Sequence, residues 1–346
     1  MTTSPTSKAG IKYSHTIGFL ANSGRGFNNP VDVALDSYGI LYVLNRAGPE
    51  TPIRLPYKRV TICTVDEEYL GEFGSGGTKP GQFWWPSSLA FDCEDRLYVA
   101  DEALQRISIF SKAGELLGHW GEAGALDGQL NRPSCILFDS NDNLIVTDSL
   151  NHRVQRFTKD GRFLGKFGSL GNGPGQFDHP WGITLNNQGQ IYVSDWRNDR
   201  IQKFNPSGEF LAQWGESGYG ESQMNRPAGL AVDSNGNTFV ADWGNERVQV
   251  LDSDEKPIAS LRGDSVDSKW SSDYFAANTD EGIARREANL EPEIGPQQYK
   301  DWGHTREKSA SVEKLFWGPT AVKIDDQGRI YIVDSLRQRL QVYGWG

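Results

Sequence analysis

Apolar residues along this chain come in short alternating runs set between turns rich in glycine and proline. SSLAF, LYVAD, RISIF and ELLGHWG follow one another over residues 87–121. Runs of this length, with β-branched and aromatic residues in alternation, predict strands rather than helices. The link between the first two runs of each set reads DSNG at 233–236 and DDQG at 325–328. Such links suit a tight hairpin with glycine at positive φ.

The four-part pattern recurs along the chain. Its anchor prolines are Pro30, Pro86, Pro133, Pro180, Pro227 and Pro319, spaced 56, 47, 47, 47 and 92 residues apart. Fifteen residues after five of them stands an aspartate: Asp101, Asp148, Asp195, Asp242 and Asp334. Five residues further on comes an arginine: Arg106, Arg153, Arg200, Arg247 and Arg339. In the first repeat Asn45 takes the aspartate's place, and the arginine moves nine residues on, to Arg59. An insertion near 46–58 explains both departures. The 92-residue gap implies a second insertion of about 45 residues between Gly263 and Leu315.

Four-stranded units repeated every 40–50 residues predict a β-propeller. A sandwich of unrelated strands does not explain three equal periods. The last repeat has too few residues after Arg339 for a fourth strand, and the run IKYSHTIG at 11–18 has the form of that missing strand. The expected fold is therefore all-β: a six-bladed propeller of four-stranded blades, closed by the N-terminal strand joining the last blade. Length alone, 346 residues, favours two domains. The repeat replaces them with one domain over 11–346, preceded by a disordered leader at 1–10. A helical insertion is expected at about 264–313, where TDEGIARREANL has Thr279 as its expected N-cap.

The pattern G-Q-F-x-x-P, D-x-x-G, Y-V-x-D, R-I-Q-x-F resembles the NHL repeat, and Asn151-His152-Arg153 reads NHR within it. The resemblance covers nearly the whole chain outside 1–10 and the insertions. It is similar to bacterial NHL-repeat proteins with an insertion before the last blade. It implies six blades and leaves function open. Relatives include protein- and RNA-binding domains, sensor domains, a peptide-amidating lyase and an antibiotic-ring-opening lyase. Metal-dependent lactonases are more distant propellers.

The aspartate and arginine of each repeat read as structure. Copies spread around a ring cannot all serve one catalytic centre, and the two are expected to pair across the loop between strands two and three. Information particular to this chain lies where the repeats disagree. The two positions before each proline include Asn29, Trp84, Trp85, Arg132, Asp178, His179, Arg226 and Trp317. Trp181 follows Pro180, and the loops between strands two and three add Trp196, Arg197 and Trp243. These residues are expected to surround one mouth of the central channel as a ligand-binding rim, since tryptophan and arginine are the types enriched at binding hot spots. Asp32 and Lys323 depart from the small or apolar residues of the other repeats, and are expected to form an ion pair near the channel between blades 1 and 6. The long insertion is expected to lean over the mouth as a lid.

The formal charge is −10, which opposes general nucleic-acid binding. Cys63, Cys93 and Cys135 are few and scattered, fitting reduced thiols in the cytoplasm. No apolar run reaches membrane-spanning length. The leading expectation is a scaffold that binds a small molecule or a protein at the channel mouth. The alternative is an enzyme, a lyase or hydrolase acting on a small molecule at the channel. Single-stranded RNA, held by Arg132, Arg197 and Arg226, is the third. No cofactor is expected, and no residue is named as catalytic. A divalent metal in the channel would need converging ligands, and of five histidines only His179, His152 and His304 can approach the mouth.

Overall fold

The computed structural model of the chain describes residues 10–47, 57–264, 266–288 and 306–346. Most of the expected leader, residues 48–56 of the first insertion and His304 lie outside the described residues.

Six four-stranded antiparallel sheets form a ring. Blade 1 holds β2 (Pro30–Leu35), β3 (Leu41–Asn45), β4 (Arg59–Cys63) and β5 (Tyr69–Phe73). Blade 2 holds β6 (Pro86–Phe91), β7 (Leu97–Asp101), β8 (Arg106–Phe110) and β9 (Leu116–Trp120). Blade 3 holds β10 (Pro133–Phe138), β11 (Asn143–Asp148), β12 (Arg153–Thr158) and β13 (Phe163–Phe167). Blade 4 holds β14 (Pro180–Leu185), β15 (Ile191–Asp195), β16 (Arg200–Phe204) and β17 (Phe210–Trp214). Blade 5 holds β18 (Pro227–Val232), β19 (Thr238–Asp242), β20 (Arg247–Leu251) and β21 (Pro257–Leu261). Blade 6 combines β22 (Pro319–Ile324), β23 (Ile330–Asp334) and β24 (Arg339–Trp345) with β1 (Ile11–Ile17). β1 pairs with β24 from Ile11 opposite Trp345 to Ile17 opposite Leu340, so the N-terminal strand closes the ring.

Burial follows position in the blade. The second strands are buried at every residue but Asn143 of β11, as in IYVSD of β15, because a neighbouring blade covers each face. The outermost strands alternate, as in FLAQW of β17, because one face meets solvent. The turn between strands one and two has glycine at positive φ as predicted, Gly39 taking φ 76°, and Asp36 Oδ1 accepts the N–H groups of Tyr38 and Ile40. In blades 2 and 3, Asp95 and Asp142 occupy the left-handed position instead of glycine.

The residue three before each proline is buried and seals one blade against the next. Phe27, Phe83, Leu130, Phe177, Met224 and Phe316 are all at most 1% exposed. Glycine is required opposite them. A Cβ at Gly74 (φ 94°) would lie 2.4 Å from the Phe83 ring.

The buried aspartate organises each blade's connections. Asp148 is fully buried and accepts from the Asn131 N–H, Asn151 Nδ2, Arg153 Nε and Gln155 Nε2. Arg153 then donates onward to the carbonyls of Ala125, Leu126 and Gln129 in the incoming loop. Asp195, Asp242 and Asp334 pair with Arg200, Arg247 and Arg339 at 2.9, 2.7 and 2.8 Å. Blade 2 corrects the expectation of a pair in every repeat. Asp101 is taken up by four backbone N–H groups, those of Trp84, Trp85, Ala103 and Leu104. Arg106 donates instead to the carbonyls of Thr78, Lys79 and Gln82. In blade 1, where Asn45 replaces the aspartate, Arg59 Nε pairs with Glu72 at 2.7 Å.

The long insertion forms α1 (Lys269–Ala277), α2 (Thr279–Glu287) and α3 (Arg306–Ser311). Ser268 caps α1 by accepting the Ser271 N–H. Thr279 is the first helical residue of α2 rather than its cap, since Asn278 ends α1 and starts α2 together. Trp270 of α1 is 2% exposed and packs edge-on against Phe27 and Tyr69, with its Nε1 donating to the Glu67 carbonyl. This part of the insertion is thus docked at the junction of blades 6 and 1.

Replacing Asp195 with alanine removes the acceptor for four donors and strands the buried Arg200. Stability in urea unfolding is expected to fall by about 3–5 kcal/mol. A loss under about 1 kcal/mol would show that another contact anchors the loop.

Candidate functional site

The loops before the prolines and those between strands two and three are zipped together by backbone hydrogen bonds. Trp196 N–H donates to the His179 carbonyl at 3.3 Å and Arg197 N–H to that of Asp178 at 3.1 Å. Ser149 and Leu150 bind Arg132 and Asn131 in the same way. The residue before the proline is left-handed at Asn29, Arg132, His179 and Arg226 (φ 51–57°) and at Gly318 (φ 73°). Repeat geometry thus brings the disagreeing positions onto one face.

Two groups of tryptophans stand on that face. Trp181, Trp196 and Trp243 form a row across blades 4 and 5, with ring centroids 6.2 and 6.5 Å apart. Arg226 stacks over Trp196 at 4.9 Å, and Arg306 over Trp243 at 3.8 Å. On the other side Trp85 lies between Arg46 and Arg132, at 4.9 and 5.0 Å, and Lys58 sits over Trp84 at 5.0 Å. Trp317 lies under Arg337 at 5.6 Å, whose guanidinium is bound to carbonyls of α3 and its end. Arg132, Arg197 and Arg226 are exposed. Asn29 is tied into the junction of blades 6 and 1: its Oδ1 accepts from Ser335 Oγ at 2.7 Å, and its N–H donates to Gln338.

Arg46, Glu102 and Arg306 join the rim without having been singled out in the sequence, and Glu246 stands with them. Glu102 is 2% exposed and holds Arg46 at 3.1 Å. The signal for both was available, because the residue after the strand-two aspartate reads Arg46, Glu102, Ser149, Trp196, Trp243 and Ser335. Glu246 accepts the Gly318 N–H through Oε2 and lies 3.6 Å from Arg306. Burial pushes its carboxyl up to about 7, against the pull of that N–H and of Arg306.

Inside the ring, Asp32 and Lys323 lie 3.5 Å apart. Asp32 is 3% exposed and also accepts from the N–H groups of Val33 and Leu89 and from Ser88 Oγ. Ser88 Oγ is 3.6 Å from Cys135 Sγ. Burial acts to lower the Lys323 ammonium, and Asp32 and Cys135 overcome it, leaving its pKa above the usual value. Burial raises the Cys135 thiol. The cavity here, reached by Trp181, has a volume of about 20 Å³. That is space for about one water molecule.

His152, Asp178 and His179 meet where blades 3 and 4 adjoin. Asp178 Oδ1 is 2.5 Å from His179 Nδ1 and 3.7 Å from His152 Nδ1, and the rings are 5.0 Å apart at 85°. His152 Nδ1 accepts the His179 N–H at 3.2 Å. Burial, His179 and Arg197 hold the His152 imidazole below its ordinary pKa, against Asp178.

The NHL repeat family matches residues 130–157, 177–204 and 224–251, which fall in blades 3, 4 and 5. Three NHL repeats thus lie within this six-bladed propeller. No curated protein matches its sequence. Among solved structures, a protein of unknown function from Bacteroides thetaiotaomicron is 18% identical with a TM-score of 0.60, covering 96% of this chain and 75% of its own. A gluconolactonase from Xanthomonas campestris is 12% identical (TM-score 0.58), with coverages of 97% and 99%. An inactive variant of virginiamycin B lyase from Staphylococcus aureus, solved with quinupristin, is 13% identical (TM-score 0.55), with coverages of 96% and 99%. At these identities the likeness shows the fold alone. Among the described residues no helix is long and apolar enough to cross a membrane.

Asp32→Ala in the NHL-repeat propeller leaves the Lys323 ammonium in the channel without its counter-charge. Urea unfolding is expected to show a loss of about 3–5 kcal/mol, partly recovered in Asp32→Ala/Lys323→Met. A double variant no better than the single would end the case for pairing. For Glu246, the folded pKa lies above the unfolded one, so the unfolded state ionises first as pH rises. Stability is expected to fall by about 3 kcal/mol between pH 4.5 and 7, a slope that Glu246→Gln flattens.

Proposed function

We propose that this NHL-repeat propeller is a binding scaffold whose channel-mouth face takes an anionic small molecule or an acidic protein segment. The observation that carries this reading is the row Trp181, Trp196 and Trp243 with Arg226 and Arg306 stacked on it. A guanidinium lying on an indole keeps its planar N–H donors aimed sideways, where a carboxylate or phosphate is met by two of them. Tryptophan and arginine together give a large apolar contact and a charged anchor. The narrow channel supports binding to the face rather than within it. The local cations also give an acidic chain a place for an anion. Location in the cytoplasm is part of this reading, supported by three free cysteines at separate sites.

A second reading is an enzyme, a lyase or hydrolase on a small molecule. The observation favouring it is the pair of imidazoles sharing the Asp178 carboxylate at the rim. The lyase and lactonase among the solved structures lend it the fold and nothing finer.

The test uses citrate and a poly-glutamate peptide as probes, read by tryptophan fluorescence, with single-stranded oligouridylate as a third probe. Saturable, salt-weakened binding of one of the first two is expected. Trp196→Ala/Arg226→Ala should lose at least about tenfold in affinity, or about 1.4 kcal/mol, with an unchanged circular dichroism spectrum. Equal binding by the variant, or binding of the oligouridylate alone, overturns the reading.

A further inference from the structure

The residue nineteen after each proline plays one part around much of the ring. It lends a side-chain acceptor to the backbone N–H just before the next blade's proline. Asp199 receives Arg226 N–H at 2.6 Å, Glu246 receives Gly318 N–H, and Gln338 receives Asn29 N–H. His152 does the same for His179. The left-handed backbone is shared as well, so neither conformation nor latch sets the blade 3–4 junction apart. What differs is chemistry. Here both partners of the latch are imidazoles, and the residue before the second, Asp178, puts a carboxylate oxygen between them.

We propose that His152, Asp178 and His179 bind a divalent transition-metal ion of the zinc class. Tetrahedral bonds of about 2.0–2.1 Å set ligand atoms about 3.3 Å apart. The separations of 2.5 and 3.7 Å about Asp178 Oδ1 bracket that value. The ligand atoms of all three lie within 4.8 Å of one another, so rotations of the two rings and the carboxylate form three corners of the site, His152 Nδ1 exchanging the His179 N–H for the ion. His179 binds as a neutral imidazole with its proton on Nε2, so that Nδ1 presents its lone pair to the ion in place of the contact with Asp178 Oδ1. Two nitrogens and one carboxylate oxygen suit zinc, cobalt or nickel over magnesium or calcium. Three protein ligands leave the ion one position for water or an anion. The inference stands on this geometry and is independent of the anionic-ligand reading of the tryptophan row. A second cluster, Cys93, Glu94 and Asp142, is set apart because Glu94 is already paired to Lys159 at 2.5 Å and Cys93 donates to Asp142.

The experiment titrates the chelator-stripped full chain with Zn²⁺ by calorimetry and with Co²⁺ by visible absorption. His152→Gln/His179→Asn is the variant, because blade 6 and blade 1 already use Gln338 and Asn29 at these positions and the fold accepts them. One Zn²⁺ per chain is expected, with a Co²⁺ spectrum of nitrogen and oxygen ligands lacking thiolate charge transfer. The double variant should bind at least about 100-fold more weakly, while Cys93→Ser binds as the parent does. Uptake unaltered in the double variant, a thiolate band lost in Cys93→Ser, or a parent Kd weaker than about 100 µM would each overturn the proposal.

Discussion

A carboxylate buried at the end of the second strand is the constraint on which the ring depends. Asp148, Asp195, Asp242 and Asp334 have no exposed surface, so each must have its lone pairs filled by donors from the chain. Those donors come from three places: the loop entering the blade, the turn leaving the strand, and the arginine that opens the next strand. Satisfying the charge therefore fixes all three at once. The arginine, itself buried, passes the demand outward to carbonyls of the incoming loop. Blade 2 meets the same requirement with four backbone N–H groups in place of a guanidinium. The aspartate is thus the fixed part and its partner the adaptable one.

Because this network locks the backbone of the mouth, side chains there can vary without loss of shape. The rim positions carry tryptophan, arginine, histidine, asparagine and glycine on nearly the same left-handed or zipped backbone. A repeat protein gains its particular chemistry in this way, by breaking sequence symmetry on a symmetric frame.

The frame was legible in the sequence because it is repeated. Proline spacing, the aspartate–arginine interval and the glycine ending the outer strand each occurred often enough to fix register, blade number and closure by residues 11–17. The ion pair of Asp32 and Lys323 was legible for the opposite reason, as two departures from the repeat whose signs are opposite. Contacts made once were not legible. Trp270 fits between Phe27 and Tyr69, far apart in sequence and without periodic cue. Arg306 on Trp243, and Asn29 consumed by the junction rather than offered to a ligand, depend on how particular side chains meet. The shift of Thr279 from cap to first turn is a local matter of two helices sharing Asn278. His152 was legible as a histidine able to approach the mouth, but its meeting with Asp178 and His179 depends on how the side chains of blades 3 and 4 come together.

Closure by β1 also sets an order in time. The strand that completes blade 6 is made before every other strand of the propeller, and its partner β24 after them. During synthesis β1 has no sheet to join, and the inner strand of blade 1 lacks its neighbour β22. The first five blades must therefore hold as an open arc, with apolar faces at both ends, until the final pairing forms. Such a long-range last step makes folding slow and leaves the nascent chain dependent on the strength of individual blades. The buried carboxylates, each internal to one blade and its incoming loop, supply that strength before the ring exists.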